Sequence, residues 1–283
     1  MIQISKLLNP KNDYVFRRIF GQTGNEDITK NLLMSIIPDK IEEIQLDCNL
    51  ITEKELSEDK VGILDIRAKL NNNINCNIEM QIVDKNNIEK RILFYWSKMY
   101  IGGIKKGEDY AALERTIVIL ITDYNLRNLK EIPDYMTKWN IRNEKYSNKI
   151  LTDTLEIYII EANKAKDFSF KENKILNSWL QFINNPKEES QMENEEIKKA
   201  KKVLEEISED EKERKMSELR QKYIMDQKAV YSQGYEYGIE TGIEQGIQQK
   251  AIEIAKKMKL ENIDIQTISK LTGLTEEEIL KIN

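Results

Sequence analysis

Two short stretches hold the residue types that could do chemistry. GILDIRAKL at 62–70 and CNIEMQIV at 76–83 alternate polar and apolar positions, the two-residue period of a strand with one covered face. The Asn71-Asn72-Asn73 run between them is turn chemistry, so the two stretches are expected to form a hairpin. If their apolar faces coincide (Leu64, Ile66, Ala68 and Leu70 with Ile78, Met80 and Ile82), then Asp65, Arg67, Glu79 and Gln81 share the opposite face. Two carboxylates on adjacent strands, with an amide oxygen and waters beside them, suit a hard divalent cation such as Mg²⁺ or Mn²⁺. A cation so placed lowers the pKa of water and neutralises charge gathering on a phosphate. The same alternation also describes any half-exposed hairpin whose wet face has no function, and the pattern alone leaves both readings open.

Composition narrows the choice. The chain has 283 residues, 40% hydrophobic and 33% charged, with no histidine. That excludes a Ser/His/Asp triad, a Cys/His dyad, His-ligated metals and histidine acid–base catalysis. Two cysteines, Cys48 and Cys76, cannot make a four-thiolate site or a disulfide framework. Chemistry must rest on carboxylates, amides, hydroxyls and cationic side chains. With 44 Lys and Arg against 49 Asp and Glu the net charge is -5, so a nucleic-acid partner would have to meet a local basic patch. The N-terminus lacks a leader-like apolar stretch and no run of 18 apolar residues exists. The expectation is a soluble, cytoplasmic protein with no membrane association.

The elements that must position the hairpin are legible in outline. Residues 11–37 carry helical spacing, first in DYVFRRIF and then after Asn25, ending before Pro38. A loosely alternating stretch at 41–51 precedes the hairpin, and a helix over 86–106 follows it, with Ile92, Trp96, Met99 and Ile104 as packing positions. RTIVILITD at 115–123 reads as a central strand covered on both faces, and LEIYIIE at 155–161 as one more. The expected fold class is α/β, with a mixed sheet flanked by helices.

These stretches together resemble a known family. NPKNDYVFRRIFG at 9–21, GILDIRAKL, NIEMQIV at 77–83, and KRILFYWSKMYIGGIKKGEDYAALERTIVILITDY at 90–124 are similar to the bacterial recombination-promoting nuclease/putative transposase family of the PD-(D/E)XK superfamily. The resemblance covers about residues 9–165. It implies an αβββαβ restriction-endonuclease-like core and a metal-dependent DNA endonuclease of little sequence specificity, associated with recombination, mobile elements or phage defence. It implies Asp65 and Glu79 as metal ligands, with Asp13 as an additional acidic residue near the metal. Gln81 stands where many superfamily members have lysine, and Arg67 or Arg91 could supply the missing positive charge. Arg91 and Tyr95, four apart, resemble the Gln-x-x-x-Tyr pair of related exonucleases. A second reading, from a different class, is a DNA-binding or oligomerising protein that keeps the nuclease fold without its catalysis.

The local basic patch is expected around the 86–106 helix, from Lys85, Lys90, Arg91, Lys98, Lys105 and Lys106, with Tyr95 among them and Lys11, Arg17 and Arg18 on the first helix. Contacts of this kind hold DNA through its phosphates. Residues 1–165 are expected to form the nuclease-like domain and 166–228 a charged helical region, in which 171–183 carries Ile175, Leu176, Trp179, Leu180 and Ile183 at helical spacing and 186–228, with well-mixed signs, reads as a solvated arm; 229–283 is expected to be a separate helical segment. In that segment Gly234, Gly238, Gly242 and Gly246 recur every fourth residue. Each costs a helix about 1 kcal/mol against alanine, which close approach to another helix would offset, so a homo-oligomer through this stripe is expected. DIQTISKLTGLTEEEILKI at 264–282 reads as helix, turn, helix, with a capping box from Thr275 to Glu278. Its acidic second helix favours packing or partner contact, with a DNA-reading helix-turn-helix placed second.

Overall fold

The computed structural model describes residues 7–47, 66–84, 87–167, 173–188 and 194–282. Two compact units result, Met1–Met225 and Asp226–Asn283.

The first unit opens with α1 (Asp13–Phe20) and α2 (Glu26–Met34). Asn12 caps α1 by accepting from the Tyr14 and Val15 amides, which satisfies two donors a helix start otherwise leaves open. Strands β1 (Ile44–Asp47), β2 (Ile66–Leu70) and β3 (Ile74–Gln81) follow, then α3 (Ile88–Gly102), β4 (Arg115–Thr122), β5 (Met136–Trp139) and β6 (Leu155–Glu161). The sheet order is β1-β2-β3-β4-β6-β5. β1, β2 and β3 pair antiparallel, β3, β4 and β6 run parallel, and β5 closes the far edge antiparallel to β6. The expected core order of helix, three strands, helix, strand is present. A parallel β3–β4 step needs a crossover long enough to reverse the chain twice, and α3 supplies it.

The hairpin forms as its asparagines predict. Asn71 and Asn72 both take left-handed backbone conformations, φ 49° and 59°, which asparagine tolerates better than other non-glycine residues. The Asn73 amide donates back to the Leu70 carbonyl. The register then sets Ile66 opposite Ile78 and Ala68 opposite Cys76. These residues, with Leu70, Ile74 and Met80, join one large core with α1 and α2. Cys76 lies within that core, where burial pushes its thiol pKa up to about 12, so it is no nucleophile. On the other face, Ile88 and Ile92 of α3 pack on Val118, Leu120, Ile157 and Ile159 in a second, smaller core.

Two elements depart from the sequence reading. The four-residue β5 has no alternation to announce it. The charged stretch after residue 186 is not wholly a solvated arm: α5 (Glu195–Glu209) buries Ile197, Ala200 and Leu204 in the main core, where Leu176, Trp179 and Leu180 of the preceding α4 (Lys174–Asn184) also lie. The mixed charges of α5 occupy its outer face, and its apolar residues form a narrow inward stripe. Ile175, which shares the helical spacing of the apolar positions of α4, is exposed.

Helix α6 (Glu211–Leu260) carries the chain from the first unit into the second. The second unit adds α7 (Ile265–Thr272) and α8 (Glu276–Lys281), joined by Gly273 in the left-handed conformation. The capping box of Thr275 with Glu278 is formed. Ala255, Ile268, Leu274 and Ile279 make a small core. A Cβ placed on Gly234, Gly238, Gly242 or Gly246 would meet no atom within 4 Å, so no close helix approach at these glycines occurs among the described residues of the chain. No helix among those residues is long and apolar enough to cross a membrane.

Candidate functional site

The face of the sheet toward α3 divides in two. Over β4 and β6 it is apolar and covered. Over β2 and β3 it is polar, because Arg67 and Lys69 on one strand and Asn75, Asn77, Glu79 and Gln81 on the next share one parity. Arg67 is the ladder partner of Asn77.

Glu79 is the centre of this polar half. It is 2% exposed, a carboxylate taken almost wholly out of water, which is costly unless a charge or donors meet it. They do. The Arg91 Nη2 donates to Glu79 Oε1 at 2.8 Å, and the Gln81 Nε2 donates to the same oxygen at 2.5 Å. Arg91 stands on the first turns of α3, the side chain 26% exposed, so it links the buried carboxylate to the surface. Its Nε donates to the Tyr95 hydroxyl at 3.0 Å, and its guanidinium lies 5.3 Å from the Tyr95 ring centre. The four-residue spacing that singled out Arg91 and Tyr95 therefore makes one connected group with Glu79 and Gln81. Tyr124, at the end of β4, faces the same charges: burial first, then Asp84 and Glu79, pushes its phenol well above the usual tyrosine range.

Asp65 and Lys85 lie outside the described residues. Asp65 immediately precedes Ile66, whose ladder partner Ile78 immediately precedes Glu79. Among the described residues no group of three or more acidic or cysteine side chains could hold a metal ion. The donors that are present, the Glu79 carboxylate and the Gln81 amide oxygen, are hard oxygens of the kind Mg²⁺ and Mn²⁺ select, and on that chemistry the residues fit the cation.

Asp13 has other company. Arg220 of α6 grips it with both nitrogens, Nε to Oδ1 at 2.9 Å and Nη2 to Oδ2 at 2.7 Å. The neighbours repeat the pattern. Asn12 Nδ2 donates to the Ser217 carbonyl, and the Tyr14 hydroxyl and the Arg18 Nε both donate to Glu213. Glu213, Ser217 and Arg220 lie on one ridge of α6, so the Asn-Asp-Tyr block reads as a clasp between α1 and the start of α6. The basic residues of the first helix are spent likewise: Arg18 on Glu213, Lys11 on Asp123 at 2.7 Å, and Arg17 is buried. On and beyond α3 the case differs. Lys90, Lys98, Lys105 and Lys106 are exposed, as is Arg67, and none of them makes an ion pair among the described residues.

The residues that sequence reasoning passed over are Asn75, Asn77, Glu114 and Tyr124. The parity of β3 already put the two asparagines beside Glu79 and Gln81, but asparagine is not an acid or base and drew no notice. Glu114, which pairs with Lys69 and accepts from Asn75 at 3.0 Å, sits just before β4 and carries no local signal.

Residues 10–234 match a family described as PD-(D/E)XK nuclease family transposase. Residues 248–283 match the C-terminal helix-turn-helix domain of the Rpn/YhgA-like nuclease family, the reading of that hairpin placed second from sequence. No curated protein and no solved structure matches the chain.

Proposed function

Since this chain belongs to the PD-(D/E)XK nuclease family, by a match spanning most of its length, we propose that it is a metal-dependent deoxyribonuclease that hydrolyses internal phosphodiester bonds with little sequence choice. The observation that carries the proposal is the buried Glu79 carboxylate, held by Arg91 and Gln81 on the polar half of the β2–β3 face. A structural surface hairpin has no need to desolvate a carboxylate there.

Asp65 and Glu79 would hold a divalent cation, Mg²⁺ or Mn²⁺, which when bound supplies the positive charge that acidifies water and offsets charge on the phosphate. The chain's own residues do the rest. Gln81 cannot supply the charge that a lysine would, and instead its amide orients Glu79. Arg91 carries the charge, close enough to touch Glu79 and fixed in direction by the Tyr95 hydroxyl. Arg67, on the same face and without an acidic partner among the described residues, is free to meet a phosphate oxygen. Asp13 serves in this reading as the anchor of α1, since both its oxygens are engaged by Arg220. Lys90 and Lys98, with Arg91 and Tyr95, form the DNA-facing side of α3, and Lys85, outside the described residues, is a further candidate for a phosphate contact. Contacts of that kind bind the backbone and not its sequence. The C-terminal hairpin, through its helix-turn-helix likeness, adds a second DNA contact. The glycine row of α6, where an added Cβ would meet nothing within 4 Å among the described residues, would pair copies of the protein.

The test is cleavage of supercoiled plasmid with Mg²⁺ or Mn²⁺ by the wild-type chain, by Asp65→Ala, by Glu79→Gln, and by wild type in EDTA. Metal-dependent nicking is expected from wild type alone. Full cleavage by either variant would remove that residue from the site. A folded wild type that binds plasmid yet cuts none with either metal would leave a DNA-binding protein on a nuclease fold.

A further inference from the structure

On the polar half of the sheet that also carries Glu79, a cavity of about 370 Å³ opens between β2, β3 and the second half of α3, within the size range of sites that enclose small organic groups. Its wall on the α3 side is one ridge, in which Tyr95, Lys98 and Gly102 follow Arg91 at helical spacing. Asn77 lines it from the sheet. Asn77 is 2% exposed, and both its amide nitrogen and its amide oxygen lack a hydrogen-bond partner among the described residues. Buried polar atoms are almost always paired, and an orphan calls for an explanation. Here a donor and an acceptor sit side by side, taken out of water, at the edge of a cavity that a planar group could enter.

The other lining residues define what that group is. Arg67 and Lys98 are exposed cations without acidic partners among the described residues, whereas Lys69 is neutralised by Glu114. The cavity thus has a polar amide at the sheet, an aromatic ring in its wall, and two free cations at its rim. An amide of this kind pairs with the adjacent donor and acceptor that the Watson–Crick edge of each nucleobase offers once it is unpaired. Aromatic side chains stack on unpaired bases whatever their identity, and free cations meet the phosphates on either side. A base still paired in a duplex cannot present its edge in such a cavity, so it must leave the stack or come from a strand already open.

We infer that this cavity takes one unpaired nucleobase of the DNA substrate, so that the protein prefers DNA with an unpaired nucleotide over uninterrupted duplex. The inference rests on the nuclease reading for its substrate, and it adds the feature that the substrate must present. Tyr95 belongs both to the cavity wall and to the Arg91–Glu79 group, which brings the phosphates next to the captured base toward the carboxylate.

Binding by the full-length protein in EDTA, followed by fluorescence anisotropy, tests this without requiring cleavage. Three labelled DNAs suffice: a flush duplex, the same duplex with one bulged nucleotide, and the single strand. The bulged duplex and the single strand should bind about tenfold more tightly than the flush duplex, the worth of one well-paired, stacked base. Asn77→Leu, of similar size without the amide, should erase that preference and leave flush-duplex affinity in place. Lys98→Ala, an exposed change with no folding risk, should weaken all three DNAs and lower the salt dependence of binding by about one ion. With 2-aminopurine at the bulge, wild type should quench its fluorescence and Asn77→Leu should not. Equal affinity for flush and bulged duplex overturns the inference, as does a preference that survives in Asn77→Leu, or displacement of the bulged DNA by micromolar free dAMP, which would make the cavity a mononucleotide site. Plasmid cleavage with no preference for the bulge sinks this inference and spares the nuclease. A bulge preference without any metal-dependent cleavage does the reverse.

Discussion

Among the carboxylates buried against an arginine, Asp13 and Glu79 differ most in what surrounds them. Asp13 and Arg220 are 8% and 7% exposed and meet through two parallel contacts, with Asn12, Tyr14 and Arg18 fastened to the same ridge of α6 on either side. Glu79 is as deeply buried, but its arginine is itself part-exposed and holds Tyr95, which lines a cavity of further polar groups. A closed, bidentate pair has nothing left to offer a ligand; its worth lies in fixing two helices. A carboxylate with a part-exposed arginine, on the same polar face that lines a cavity, is arranged for a further partner. The same residue types in the same kind of pair thus serve structure in one place and chemistry in the other. What separates them is the geometry around the pair.

The sharpest way to break that contrast is to remove each charge in turn. Glu79→Gln should reduce metal-dependent plasmid cleavage by at least about a thousandfold, roughly 4 kcal/mol of activation free energy, while the urea-unfolding midpoint stays within the range of ordinary surface changes. A large loss of stability with retained cleavage would turn Glu79 into a structural residue and erase the distinction.

Asp13→Asn should do the opposite. It strands Arg220 in the interior, and an orphaned buried charge costs about 3 kcal/mol or more, visible as a lower urea midpoint. The folded protein should keep its cleavage rate and its half-saturating metal concentration. A several-fold rise in that concentration would give Asp13 back a place at the metal. Arg220→Ala should cost about as much as Asp13→Asn, and the double variant little more than either, because contacting residues are not additive.

Asp13 also marks how far a sequence can be read. Its type and its place in the Asn-Asp-Tyr-Val-Phe block are visible, but its partner is 207 residues away, at a spacing no local pattern encodes. The strands of the sheet were legible because period-two alternation survives in β2 and β3 and because β4 is apolar throughout. Glu79, Gln81, Arg91 and Tyr95 were legible as a group because strand parity and the four-residue helical spacing each bring two of them together. Asn77 shares that parity, but its importance comes from the lack of a partner, a property of the packed structure. β5 has four residues and no repeat. α5 looked solvated because its charges outnumber its apolar residues, although a stripe of one residue in three or four is enough to bury a helix.

A smaller effect tests whether Arg91 supplies the charge that Gln81 lacks. Arg91→Ala should slow cleavage by about a hundredfold, in the range of a lost electrostatic contact at a reacting phosphate. Gln81→Lys in that background should recover part of the rate, because the cation would return from the strand instead of the helix. No recovery, with the protein folded, would mean that Arg91 acts by holding Glu79 in place and not by its charge.

A third pair calibrates the first two. Arg115, at the start of β4, grips Asp39 with two nitrogens at 2.7 and 2.9 Å and reaches Glu156 of β6 at 2.8 Å, but Asp39 is a third exposed. Hydrogen bonding to Arg115, more than anything else, holds the Asp39 carboxyl below its ordinary range. A depressed carboxylate pKa stabilises the fold at pH values above the unfolded pKa of about 3.9. That contribution fades as the pH falls through the lower, folded value. Because solvent screens the pair, Asp39→Asn should cost only about 1 kcal/mol at pH 7, well below the cost at Asp13. The difference from wild type should begin to shrink as the pH drops below about 4 and close once the pH passes the lower, folded value, where wild-type Asp39 also becomes neutral. A gap that stays constant down to acid pH would show that the hydrogen bonds, and not the charge, carry this contact. The depth of burial would then no longer explain why the three pairs differ.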